Sequence, residues 1–103
     1  MGWRRYVEGM SNIEVVHIPE RERYEIHVDS ELAGFTEAHP LADGIVWFSH
    51  TEVDDAYEGQ GLAEILVRGA LDDIRRRGLR IHVTCAYIKR FLAKHDEYDD
   101  LAA

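Results

Sequence analysis

Tyr57-Glu58-Gly59-Gln60-Gly61-Leu62-Ala63 joins a strand-like run to a strongly helical one, and the reading of that joint decides the fold. Two glycines separated by one residue, followed by small and apolar residues, let the backbone turn tightly into a helix. The amides of the turn and of the first helical turn then converge on one spot. A helix start carries unpaired N–H groups and about half a positive charge, so it attracts anions such as a phosphate or pyrophosphate. The joint is not a Walker loop, since no Lys follows Gly61. It is not the dinucleotide fingerprint either, because Glu64 stands where a third glycine or an alanine belongs. On spacing alone an ordinary strand–turn–helix joint competes evenly with an anion site.

Outward from the joint, Ile45 to Val53 reads as one long strand and Leu62 to Arg77 as the main helix. Leu62, Ile65, Leu66, Ala70 and Ile74 recur at helical spacing, and Ala63, Val67 and Leu71 widen the stripe. Gly78 stops this helix, and Leu79 to Thr84 returns as a strand. Upstream, Asn12 to Ile18 is β-branched and ends at Pro19. Arg23 to Val28 alternates apolar and polar, and Leu32 to Ala38 reads as the strand returning after the Asp29-Ser30 turn. Pro40 to Gly44 is a loop, and Ala86 to His95 is a shorter helix. The order predicts an α+β fold with a mixed sheet. An antiparallel meander leads into a right-handed parallel β-α-β crossover and a C-terminal helix.

The 103 residues suit one domain with one two-layer core: residues 1–11 as a lead-in and 12–103 as the domain. Net charge is −8, from 20 acidic against 12 basic residues. The one dense basic cluster, Arg75-Arg76-Arg77 with Arg80, falls at a helix end and complements its dipole. No nucleic-acid partner is expected from that balance. The single cysteine, Cys85, forms no internal disulfide and fits a reducing compartment. With no apolar run of membrane-spanning length and no signal-peptide core, the expectation is a cytoplasmic protein without a membrane partner.

Several residue groups together resemble a known family. They are His50-Thr51-Glu52-Val53 on the long strand, Glu58-Gly59-Gln60-Gly61-Leu62-Ala63 at the turn, and Leu66-Val67 with Ala70-Leu71 on the helix. Cys85-Ala86-Tyr87 after the last strand and His95-Asp96-Glu97-Tyr98 near the C-terminus complete the set. In these pieces, over roughly residues 13–101, the chain resembles the compact GNAT-like N-acetyltransferases of the YjdJ type.

The resemblance implies acetyl-CoA as cosubstrate and an amine as acceptor. It implies a pantetheine arm in a gap between splayed strands, pairing with main chain around Val53. A pyrophosphate would then sit on the amides of Gly59, Gln60, Gly61, Leu62 and Ala63, in agreement with the anion site read from the joint. Two positions depart from the family pattern. Glu58 stands where Gln or Arg is usual, which predicts a carboxylate turned away from the pyrophosphate and a weaker hold on the cofactor. Ala86 replaces a proline.

Acetyl transfer to an amine needs a proton acceptor, a polarised carbonyl and a protonated or stabilised leaving thiolate. Glu52 is the candidate base, with a solvated strand carboxylate as the equal alternative. Cys85 is the candidate nucleophile or acid, because a helix start after it favours the thiolate; a small buried hydrophobe is the alternative. Tyr87 is a candidate proton donor, with core packing beside Phe91 as the alternative. Metal ligation by His82, Cys85 and His95 is not expected, since no second close pair completes a tetrahedral set. His50 reads as a hydrogen-bonded structural histidine, and Trp47 and Phe48 as packing. The acidic segment Asp96 to Asp100 reads as solvated, anchored by Tyr98 and Leu101. A non-catalytic acyl-CoA-binding module is the alternative function.

Overall fold

The computed structural model describes residues 12–103; the lead-in, residues 1–11, lies outside the described residues. Five strands form one sheet in chain order: β1 (Ile13–Ile18), β2 (Arg23–Val28), β3 (Glu31–Pro40), β4 (Ile45–Val53) and β5 (Arg80–Val83). β1 to β4 form an antiparallel meander, and β5 pairs parallel to β4. Helix α1 (Leu62–Arg76) makes the crossover between β4 and β5. Helix α2 (Ala86–Ala93) and a 3₁₀ turn at Asp96–Leu101 close the chain.

The expected mixed α+β sheet is thus the observed one. The last helix is shorter than its apolar pattern suggested, ending at Ala93 rather than His95. β3 is longer, because it keeps its partner β4 as far as Pro40, opposite Val46.

Helix α1 lies across the sheet and touches every strand. Its Leu62, Leu66, Val67, Ala70, Leu71 and Ile74 are buried against Tyr24, Ile26, Ala38, Val46 and Phe48. Ile65 departs from the expected stripe: it is 40% exposed, while Val67 and Leu71 are in the core. The buried stripe sits one residue round the helix from the run that starts at Ile65.

The C-terminal turn is anchored as the sequence suggested, by buried Tyr98 and Leu101. Tyr98 donates its hydroxyl to Asp72 at 2.9 Å. Ala102 bridges to Ile81, so the final residues lie along the outer edge of β5.

A bulge interrupts β3 and β4. Thr36 pairs with Thr51 and Ala38 with Phe48, so Glu37 alone faces both Ser49 and His50. An extra residue in one strand reverses the alternation beyond it. Val46 and Phe48 point to the helices, and above the bulge so do Thr51 and Val53. Glu52 is thereby turned to the other face, beside His50, whose Nε2 lies 3.1 Å from its Oε1.

Candidate functional site

The sheet opens where β5 stops. Parallel pairing runs only from Ile45↔Arg80 to Phe48↔Val83. The Phe48 carbonyl then accepts both the Thr84 and the Cys85 N–H, at 3.0 and 3.2 Å. The Trp47 indole N–H donates to Thr84 Oγ1 at 2.8 Å and pins the departing chain. Cys85 is the N-cap of α2, so the chain turns away as a helix. Residues 49–53 of β4 are left without a β5 partner. Such an edge offers N–H and C=O groups to any extended, amide-bearing guest.

On the other side, β4 is held close to β3 by Gly34. A Cβ there would stand 2.5 Å from the Glu52 carbonyl oxygen and 3.0 Å from the Val53 Cα. A glycine inside a strand signals this kind of close backbone approach, and Gly34 is the residue of this site that the sequence reading passed over.

The glycine turn meets the open edge at its top. Asp54 accepts the Ala56 N–H at 2.8 Å and starts a single 3₁₀ turn, Asp55–Tyr57. The Tyr57 hydroxyl reaches Glu31 at 3.1 Å, tying the turn back to β3. Gly61 is the N-cap of α1 at φ +73°, and a Cβ there would meet nothing within 4 Å. The glycine is needed for its left-handed backbone rather than for room inside the protein. No side chain caps the helix, so its first-turn N–H groups have no side-chain partner.

These pieces enclose a hollow of about 260 Å³, lined by Val53, Tyr57, Glu58, Gly59, Gly61, Leu62, Ala63, Glu64 and Tyr87. It brings together all the expected cofactor-binding residues except Gln60, which is exposed beside it. The donor set, backbone N–H groups at a helix start, suits a pyrophosphate. Glu58 is among the lining residues, so the turn brings acidity to the hollow. Glu64 is drawn off by Arg68, whose Nε donates to it at 3.0 Å.

The three candidate catalytic residues divide between the faces of β4. Cys85 is 5% exposed, and its Sγ lies 3.3 Å from Thr51 Oγ1 on the helix side. Tyr87 is half-buried on that side; burial, with the Glu64 carboxylate adding to it, raises its phenol. Tyr87 therefore keeps its proton near neutrality. Glu52 is exposed on the opposite face.

That opposite face is a polar layer. Glu25 is nearly buried there, and burial alone would raise its carboxyl. Hydrogen bonds from His27 and Arg23 outweigh burial and hold it below the usual carboxylate range. His39 Nδ1–H donates to the Glu22 carboxylate at 2.8 Å, which raises its basicity, and its Nε2 lies 3.0 Å from Ser49 Oγ.

Among the described residues, no three His, Cys, Asp or Glu side chains gather as a metal ligand set. His95 instead stacks on Phe91 at 4.2 Å and meets Arg68.

Residues 23–101 match the family model described as GCN5-related N-acetyl-transferase. The chain belongs to the GCN5-related N-acetyltransferase family. It is 49% identical to Protein NATD1 of Bos taurus over 51 residues, half of this chain and 45% of the bovine protein. The matched region therefore spans less than half the length of that relative.

A GCN5-like protein of Staphylococcus aureus superposes with a TM-score of 0.69 and 25% identity, covering 91% of both chains. N-acetylglutamate synthase from Neisseria gonorrhoeae, solved with coenzyme A and N-acetyl-glutamate, shares the fold. Its TM-score is 0.59 at 17% identity, over 91% of this chain and 20% of the synthase.

Proposed function

We propose that residues 12–103 form one catalytic domain that moves an acetyl group from acetyl-CoA to an amine acceptor. The observation that carries this reading is the continuity of two features. The unpaired edge of β4, residues 49–53, runs directly into the glycine turn and the uncapped start of α1. An extended pantetheine arm suits the first, pairing with main chain around Val53, and a pyrophosphate suits the second.

In this reading the Gly59, Gln60, Gly61, Leu62 and Ala63 amides bind the anion. The amine attacks the thioester directly. Glu52 accepts the amine proton, directly or through water, from the face of β4 opposite Cys85. Cys85 delivers a proton to the leaving sulfur, and Tyr87 donates a hydrogen bond at the mouth of the hollow. No described helix is long and apolar enough to cross a membrane. With a single cysteine and no disulfide, the domain is assigned to the cytoplasm.

The test is calorimetric titration with acetyl-CoA and with free CoA, followed by turnover against a panel of amines. Saturable binding with turnover is the expected result. Binding without turnover favours a non-catalytic acyl-CoA-binding module, and no binding at millimolar ligand overturns the reading. Gly61→Trp should abolish acetyl-CoA binding; unchanged affinity would remove the glycine turn from the site. Cys85→Ala should bind both ligands yet lose turnover.

A further inference from the structure

A chain of three polar side chains runs beneath the open edge of β4. Thr36 is fully buried in β3, with its Oγ1 2.9 Å from Thr51 Oγ1 and 3.4 Å from the His50 carbonyl. Thr51 lies in turn 3.3 Å from Cys85 Sγ. The chain exists because of the bulge: opposing Ser49 and His50 to Glu37 is what turns Thr51 toward the helices.

Its polarity is fixed at one end. A backbone carbonyl only accepts, so Thr36 donates to His50; Thr51 then donates to Thr36, and the Cys85 thiol donates to Thr51. When the thiol loses its proton the chain reverses by hydroxyl rotation alone: Thr51 turns to donate to the sulfur, and Thr36 turns from the His50 carbonyl to donate to Thr51.

We infer that Thr51 is a positioning residue for Cys85, holding its sulfur beside the parted strands and donating to the thiolate left behind once the proton has gone. This rests on the acetyl-transfer reading above. In that reaction the acceptor nitrogen forms its bond to the acetyl carbon as the carbon–sulfur bond breaks. The Cys85 proton passes to the leaving sulfur. The nitrogen releases one proton to Glu52 or water, and the Cys85 thiolate recovers one from water, so the protons balance. A hydroxyl that both accepts from the thiol and donates to the thiolate serves each half of that cycle, and a charged partner makes the second bond the stronger.

Cys85 is the only cysteine, so its alkylation by iodoacetamide can be followed by intact mass without ambiguity. Thr51→Val keeps the shape and removes the hydroxyl. The expected result is an alkylation pH profile displaced upward, with a rate about tenfold lower near neutrality, and a comparable loss in kcat with KM for acetyl-CoA unchanged. Thr51→Ser, which keeps the hydroxyl, should restore both.

Circular dichroism and the urea midpoint show whether Thr51→Val folds; if it does not, Thr36→Val supplies the second test, with a smaller displacement in the same direction. An unmoved alkylation profile in folded Thr51→Val overturns the inference. A displaced profile with unchanged kcat overturns its link to acetyl transfer. Failure of the acetyl-transfer reading itself would show separately, as absence of acetyl-CoA binding in the unsubstituted protein.

Discussion

The two halves of β4 are one strand with opposite fates. From Val46 to Phe48 it is paired on both sides, with Val46 and Phe48 buried under α1. From Ser49 to Val53 it is paired only with β3, and none of its side chains is fully buried. The boundary is the Phe48 carbonyl, shared by two N–H groups, with the bulge directly above it. The closed half has satisfied its backbone and spends its side chains on the core. The open half keeps backbone groups free and aims Thr51 and Val53 at the place where strands part. The paired and packed half below is the base on which the open edge stands.

The largest expected effect comes from breaking the closed half. Phe48→Ala removes a fully buried ring stacked near Tyr24, at 6.3 Å between centroids. It should cost about 3–5 kcal/mol of stability, read from the urea midpoint. A cost under about 1 kcal/mol would mean that this half is not the rigid base.

Gly34→Val attacks the boundary from the β3 side, where even a Cβ meets the Glu52 carbonyl at 2.5 Å. It should destabilise by about 1–3 kcal/mol and also weaken acetyl-CoA binding, since the displaced backbone is that of Glu52 and Val53. Weakened stability with intact affinity would separate the open edge from the cofactor site.

Tyr24→Phe should act on the closed half alone. The Tyr24 hydroxyl donates to Asp73 at 2.6 Å, and Arg77 donates to Tyr24 at 3.2 Å. Burial would raise the Asp73 carboxyl, yet the Tyr24, Arg76 and Arg77 contacts hold it below its ordinary 3.8. A carboxylate lowered on folding contributes stability that is present above its unfolded value and lost as pH falls through its folded value. The protein should therefore weaken below about pH 4. Tyr24→Phe should lower stability at neutral pH by about 1 kcal/mol and flatten that acid slope, with acetyl-CoA affinity unchanged. An unaltered slope would assign the acid sensitivity elsewhere.

The smallest effect sharpens the open half. Glu58 lines the hollow at the glycine turn and is exposed. Glu58→Gln should tighten acetyl-CoA binding by up to about fivefold at low salt, the gain shrinking as ionic strength rises. Looser binding would show that Glu58 contributes a contact rather than a repulsion.

The sequence by itself determined the element order, the mixed sheet and the glycine turn, because these follow from local signals. Period-2 and period-3.6 patterns mark strands and helices, and Gly61 marks a left-handed backbone before Leu62. It also marked most of the residues that line the hollow, since they are consecutive along one turn.

The face on which Glu52 and Thr51 lie was decided by the tertiary structure. Simple alternation puts Glu52 on the Phe48 side; the bulge at Ser49 and His50 reverses it. That bulge is a property of β3 and β4 together, visible in neither strand alone. Thr36 and Thr51 likewise look like ordinary strand threonines. They become a polar chain to Cys85 only because residues 15 and 34 positions apart are folded into contact.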